Sequence, residues 1–298
     1  MKQLRVAITG ASGLIGSDLA ATLTDDGHRV IKMVRRAPSA PDEVRWDPDS
    51  GEVDLAGLSG VDAIVHLAGA GVGDHRWTDS YKTEILNSRV NGTQAMARAA
   101  AQLDPKPAVF LCASAIGYYG DRGDLELDED SSKGVGFLSD VVADWEQACE
   151  PARQAGIRVV NTRTGLVVSE RGGAWEKLLK QFKLGAGGRL GSGNQYQAFI
   201  SLRDEVRALE FLINHGSLDG PVNLTAPNPV TNKVSTQALA SLLGKPAIIP
   251  APAFALKIAL GEFASDVLSS ARVLPKKLEK AGFHWDDPTI HDALKQII

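Results

Sequence analysis

The stretch Thr9-Gly10-Ala11-Ser12-Gly13-Leu14-Ile15-Gly16 decides the fold of this chain. It follows an apolar run (Leu4, Val6, Ala7, Ile8) and opens a pattern in which Leu14, Leu19, Ala20 and Leu23 recur at the spacing of one buried helix face. Strand, glycine turn and helix in that order form a dinucleotide-binding entry. Gly10 allows the tight turn off the strand and Gly13 lets the backbone approach a pyrophosphate. Gly16 lets the helix press on the sheet while its N-terminus faces the phosphates. Ser12, Leu14 and Ile15 lie in the same turn and count with the glycines as cofactor contacts.

Working outward, Gly27-His28 ends the helix and Arg29 to Val34 reads as a second strand, completing a β-α-β unit. A third short strand is expected around Glu43 to Trp46. A fourth, Ala63-Ile64-Val65-His66-Leu67, is of the continuous apolar kind that parallel sheets bury on both faces. Thr78 caps a long helix to about Gln102, stopped by Asp104-Pro105. Ala108 to Ala113 is the fifth strand, Gly136 to Gln154 a helix, and Ile157 to Thr162 the sixth strand. Beyond residue 165 the rhythm changes to a glycine-dense loop (Gly185, Gly187, Gly188, Gly191, Gly193), a helix from an Asp204 N-cap to about Asn214, and a proline-rich stretch. The expected fold is α/β: a Rossmann-type doubly wound parallel sheet over 1–165, with a strand from 220–226 returned to it. A smaller mixed α/β C-terminal substrate lobe over 166–298 would lie across the strand ends.

With 298 residues and 44% hydrophobic content, the chain can bury a sizeable core without metal or disulfide staples. A formal net charge of -4, with acids and bases interspersed, argues against a nucleic-acid partner, which needs a basic stripe. Cys112 and Cys149 lack metal-ligand spacing and read as buried free thiols. The histidines show no ligand spacing either, so no metal site is expected. The first strand begins by residue 4 and no apolar run reaches bilayer length, so the expectation is a cytoplasmic protein without signal peptide or membrane partner.

At the end of the second strand, an acidic residue on the ribose 2′-hydroxyl marks an NAD site, whereas a 2′-phosphate is met by arginine. This chain has Val34-Arg35-Arg36 and no carboxylate there. The pair points to NADP(H) through charge-assisted bonds. Arg35 is the better placed, being closer to the strand end; the alternative is a solvated pair.

Joined to His66-Leu67-Ala68-Gly69 and Ala113-Ser114, the glycine turn resembles the short-chain dehydrogenase/reductase superfamily in its extended, sugar-nucleotide-epimerase-like branch. Arg76-Trp77-Thr78, Ser88-Arg89-Val90, Gly117-Tyr118-Tyr119-Gly120, Asp144-Trp145-Glu146, Asn223-Leu224-Thr225-Ala226-Pro227 and Val273-Leu274-Pro275-Lys276-Lys277-Leu278 are similar to its atypical "epimerase family protein" subgroup, which ends in a C-terminal domain of unknown function. The resemblance runs from residue 4 to the C-terminus. It implies Leu67, Ala68 and Gly69 on the adenosine side and Val34 beside Arg35. It also implies that Val167 meets the nicotinamide amide, Glu84 contacts the cofactor and Arg89 reaches a cofactor phosphate or ribose.

The superfamily's chemistry rests on a Tyr and a Lys four residues later. Taking Glu146 as register puts Leu138 and Val142 at those positions, and a shift by one gives Phe137 and Val141. None can move a proton. Ser114 stands in the place of the serine that orients the substrate. Tyr118 and Tyr119 on the following loop are the candidate proton donors, or else packing groups. Lys82, on one helix face with Arg89 at about 100° per residue, is a proton donor or a solvated lysine. Glu84 lies roughly 200° from Lys82 around an ideal helix. Trp77 stacks on a ligand ring or plugs the cleft, while Arg189 and Gln195 reach substrate phosphate or hydroxyls, or face solvent. Two functions follow. One is an NADP(H)-dependent oxidoreductase or epimerase acting on a small molecule, a carbonyl compound or nucleotide-sugar, with Ser114 orienting the reacting group. The other is a non-catalytic NADPH-binding sensor or scaffold, favoured by the absent Tyr-Lys pair.

Overall fold

The computed structural model describes residues 2–298. Its centre is a seven-stranded, wholly parallel sheet in the spatial order β11 (Gly220–Leu224), β7 (Arg158–Thr164), β5 (Val109–Ala115), β4 (Ala63–His66), β1 (Arg5–Thr9), β2 (Arg29–Val34) and β3 (Glu43–Arg45). The doubly wound α/β fold read from the sequence is the fold observed. The chain steps from β1 through β2 to β3 on one side, then places β4 on the other side of β1. The C-terminal ends of β1 and β4 therefore form the crevice at which such sheets bind ligands.

Helices cover both faces, which is why β4 is buried at every residue. On one face, Leu19 and Leu23 of α1 (Leu14–Asp25) and Val206 and Leu209 of α6 (Leu202–Asn214) pack on Val6, Ile8, Leu111 and Val160. On the other, Met96 and Ala100 of α2 (Asp79–Gln102) and Trp145 of α3 (Phe137–Gln147) pack on Ala7, Ile64, Phe110 and Val159. Burying these apolar side chains stabilises the sheet by roughly 1.5–3 kcal/mol for each large one.

Local chemistry sets the boundaries. Thr78 caps α2 as read, its side chain accepting from Tyr81 N at 3.2 Å. The single helix expected over 136–154 is two, α3 and α4 (Glu150–Gln154), because Pro151 brings no N–H and sits in the first turn of the second. The strand expected to end at Ala113 continues to Ala115, so Ser114 is a strand residue. Asp204 is not the N-cap of α6. Ser201 is, accepting from Asp204 N at 3.1 Å, while the buried Asp204 carboxylate takes the N–H groups of Asp286 and Asp287.

Outside the main sheet, β8 (Leu166–Val168) pairs with β10 (Phe199–Ser201), β9 (Tyr196–Gln197) with β12 (Val230–Thr231), and β6 (Glu126–Leu127) with β13 (Arg272–Val273). A separate core joins Trp175, Leu179 and Phe182 of α5 (Gly173–Lys183) to Leu239 of α7 (Asn232–Leu243) and Leu294. The apolar helix α8 (Ala253–Leu260) leads into the segment at 261–263, which reaches back to α2. No helix among the described residues is long and apolar enough to cross a membrane.

Candidate active site

The glycine turn closes the crevice without a side chain. Gly10 has φ of 68°, and a Cβ there would lie 3.1 Å from the Leu67 carbonyl carbon. A Cβ on Gly16 would lie 2.2 Å from Gly10 O, so this glycine lets α1 press on the turn itself rather than on the sheet. Gly13 is the N-cap of α1 and has no side chain to satisfy the first N–H groups. Ser12 and Gly13 are exposed, while Leu14 and Ile15 tuck into the core behind them. A bare helix N-terminus opening onto the crevice suits a pyrophosphate.

Across the crevice, the exit of β4 is pinned by one hydroxyl. Thr9 Oγ1 accepts from Leu67 N at 3.0 Å and Ala68 N at 3.2 Å and lies 2.8 Å from His66 Nδ1. Its own hydrogen is therefore given to Nδ1, which assigns the Nε2–H tautomer. Burial pushes the His66 pKa down to about 3, so the ring is neutral. Two residues further on, Ala70 N donates to Ser88 Oγ at 3.1 Å. Beside Ser88, Arg89 lays its guanidinium 5.0 Å above the Trp145 ring and donates to Ile85 O at 3.0 Å.

At the end of β5, side chains from three elements meet. Ser114 and Arg163 are register partners on β5 and β7, and Glu146 of α3 reaches both. Ser114 Oγ donates to Glu146 Oε1 at 2.7 Å; Arg163 donates to both carboxylate oxygens at 2.8 and 2.9 Å, and to Tyr119 Oη at 3.0 Å. Tyr119 is fully buried and gives its proton to Asn223 Oδ1 at 2.7 Å. Burial raises its pKa to about 12, with Arg163 partly opposing. Burial works against the Arg163 charge too, but the bonds from Glu146 more than offset it and hold the guanidinium above its ordinary range. Tyr118 is different: its ring lies 3.5 Å from Arg163 Cζ, it is partly exposed, and its hydroxyl has no protein partner among the described residues.

With this geometry in view, residues 6–224 match the NAD dependent epimerase/dehydratase family, and residues 251–297 match a domain of unknown function, DUF1731. The chain belongs to the epimerase/dehydratase family. Among its relatives, the chain is 46% identical over 290 residues to the Epimerase family protein Mb2239 of Mycobacterium bovis, covering 97% of this chain and 96% of that protein. It is 32% identical to the Epimerase family protein YfhF of Bacillus subtilis, covering 99% and 98%. Among solved structures, the human epimerase family protein SDR39U1 with NADPH superposes at a TM-score of 0.90 with 31% identity, covering 99% of each chain. A nucleoside-diphosphate sugar epimerase from Corynebacterium glutamicum superposes at 0.82 with 36% identity, covering 98% of this chain and 57% of that one.

Leu138 and Val142 face Gly117, whose Cβ would touch them at 3.4 and 3.9 Å. The remaining sequence-derived residues divide. Leu67, Ala68 and Gly69 follow directly on β4, Val34 ends β2, Val167 lies on β8, and Arg35 is exposed with no carboxylate on it among the described residues. Arg36 is engaged, its two terminal nitrogens on Glu43 and one also on Ser39. Lys82 pairs with Glu262 at 3.0 Å and lies over the Phe137 ring. Trp77 is a plug, 7% exposed, bonded to Val72 O and set against Phe137 and Phe263. Glu84 is exposed on α2. Arg189 lines a shallow pocket with Lys233 and Ile248, and Gln195 is buried, donating to Leu190 O at 3.0 Å. The roles of Arg163, Glu146 and Asn223 were not read from the sequence; only the register between strands brings them together. No group of His, Cys, Asp and Glu able to hold a metal occurs among the described residues.

Proposed function

We propose that this protein is an NADP(H)-dependent oxidoreductase of the atypical epimerase type, working without a Tyr-Lys pair on a small carbonyl compound or nucleotide-sugar. Residues 1–165, with the strand inside 220–226, hold the cofactor; residues 166–298 supply the substrate side. One observation carries the cofactor choice: of the two arginines after β2, Arg36 is engaged by Glu43 and Arg35 is free. A free guanidinium at that position meets a 2′-phosphate. The NADPH bound by the human relative supports the same choice.

The residues present fit the cofactor. The bare N-terminus of α1 and Gly10, Gly13 and Gly16 receive the pyrophosphate, Leu67, Ala68 and Gly69 the adenosine side, and Val167 the nicotinamide amide. When bound, the nicotinamide accepts or gives the hydride. The chain's own part is to orient the substrate and move a proton. Ser114 commits its hydrogen to Glu146, so toward a substrate its oxygen acts as an acceptor. Tyr119 has neither exposure nor a free proton, which leaves Tyr118 as the proton donor, its phenol over the Arg163 cation. Lys82, Trp77 and Glu262 border the substrate mouth, with Arg189 further out; Gln195, buried with its amide on Leu190 O, serves packing.

A second reading, an NADPH-binding sensor or scaffold, is favoured by Leu138 and Val142 at the acid/base positions. Purified protein incubated with NADPH, carbonyl substrates and nucleotide-sugars separates the two. Loss of nicotinamide absorbance or formation of an epimerised product, abolished in Tyr118→Phe and reduced in Ser114→Ala, supports the enzyme. Tight NADPH binding with no product across the panel establishes the sensor. For the cofactor, Arg35→Glu is expected to weaken NADPH about 10- to 100-fold while leaving NADH nearly unchanged; equal losses refute the 2′-phosphate assignment.

A further inference from the structure

Charge is unevenly spread along this chain. Acids outnumber bases 36 to 32 in the whole sequence, yet residues 177–195 and 232–260 carry seven Lys and Arg and no Asp or Glu. The same two stretches hold six of the nine large apolar side chains that are exposed among the described residues: Leu184, Val234, Ile248, Ile249, Phe254 and Ile258. Ile248, Phe254 and Ile258 are 76%, 68% and 71% exposed.

The two stretches lie side by side. Ala251 N donates to Arg189 O at 2.9 Å and Gly191 N donates back to Ala251 O at 2.8 Å, so the loop after α5 and the segment leading into α8 share one surface. Arg189 and Lys233 flank Gly193 and line a shallow pocket with Thr236, Gln237 and Ile248. Lys180 is paired with Glu176 just outside the stretch, and Lys177 donates to Gly73 O. Lys183, Arg189, Lys233, Lys245 and Lys257 are exposed and make no ion pair among the described residues.

The helix α8 points to what covers this face. It is apolar at every position but Lys257, and none of its residues is buried. A helix apolar all round belongs in a core or against lipid, not in water. A second copy of this chain is a poor occupant, because a two-fold contact would set unpaired lysines against unpaired lysines. A nucleic acid offers negative charge but no apolar phase for Phe254 and Ile258. An anionic bilayer surface offers both, phosphates for the cations and acyl chains within about 5–10 Å for the apolar side chains.

We infer that this face docks on membranes containing anionic phospholipid, with α8 lying in the interface, Phe254 and Ile258 among the acyl chains, and the Arg189–Lys233 pocket on a lipid phosphate. An apolar run of bilayer length is what spanning requires; lying on the surface requires only such a face. The face adjoins the substrate mouth, since Arg76 donates to Ile258 O at 3.3 Å and Lys82 pairs with Glu262 just past α8.

The test is co-sedimentation of the protein with phosphatidylcholine vesicles and with vesicles in which about a third of the lipid is phosphatidylglycerol. Wild type is expected to bind the phosphatidylglycerol vesicles at low salt, to leave them at about 0.5 M salt, and to ignore phosphatidylcholine alone. Lys245→Gln with Lys257→Gln should weaken binding by about 5-fold per lysine, and Phe254→Ser with Ile258→Ser by about 10-fold or more. Both double variants should melt with wild type in the absence of lipid, because the side chains are exposed; the lipid and salt arms on wild type need no variant. Failure to bind at low salt, equal binding to both vesicle types, or binding that neither double variant weakens overturns the inference. So does a wild-type dimer in sedimentation velocity that Phe254→Ser with Ile258→Ser dissociates, which makes the face a contact between copies. Binding to polyglutamate or DNA without binding to vesicles assigns it to an acidic macromolecule and overturns it as well.

Discussion

The two mouths of the crevice, at β1 and at β5, are built in opposite ways. At β1 three glycines remove side chains, so the N-terminus of α1 keeps its donors free. At β5, Ser114, Glu146, Arg163, Tyr119 and Asn223 are bonded into one chain, with the Asn223 amide also donating to Leu274 O. The first mouth leaves its donors open; the second ties most of its polar groups to protein partners. The capacity left over at the second belongs to the Tyr118 hydroxyl and to the Ser114 oxygen, which can still accept.

The largest expected effect attacks the self-satisfied mouth. Glu146→Ala leaves the Arg163 guanidinium, 3% exposed, without its carboxylate, and should cost about 3–5 kcal/mol. Urea unfolding measures this, and a loss below about 1 kcal/mol, the scale of an exposed pair, would break the contrast. At the other mouth, Gly16→Ala puts a methyl 2.2 Å from Gly10 O. The turn must open, costing about 1–3 kcal/mol, and NADPH titration should show weakened binding; an unchanged affinity would show that the turn tolerates a side chain.

Behind β7 lies Glu205, buried, with Thr164 donating to one oxygen and nothing on the other. Burial pushes its pKa up from 4.5 to about 8. Between those values the unfolded chain releases this proton while the folded chain keeps it, so its contribution, whole below about pH 4.5, is lost as pH rises toward about 8. Glu205→Gln should remove that slope and raise stability at pH 8 by roughly 1–3 kcal/mol; urea midpoints that move with pH as in wild type would reject the neutral carboxyl. The smallest effect belongs to neither mouth: Thr78→Ala removes the α2 cap and should cost about 1 kcal/mol, with calorimetry showing NADPH affinity unchanged.

The contrast also explains what could be read from residues in order. Gly10, Gly13 and Gly16 act through their own backbone, and α1 and β2 follow within one local unit, so spacing alone exposes them. Ser114, Glu146 and Arg163 meet only because Ser114 and Arg163 are paired across β5 and β7 and α3 crosses over both, a register that no local pattern encodes. Arg35 and Arg36 show the limit most sharply. Adjacent and chemically equal in sequence, they are separated by Glu43 on the next strand. The break at Pro151 was carried by the sequence, and the helical periodicity on either side of it outweighed the signal of one proline.

The hydroxyl of Thr9 holds two amides of the β4 loop and an imidazole that titrates only near pH 3. Across the pH range of living cells, the spacing between β1 and β4 is therefore a fixed gauge. A dinucleotide entering the crevice would be measured against it rather than fitted by it.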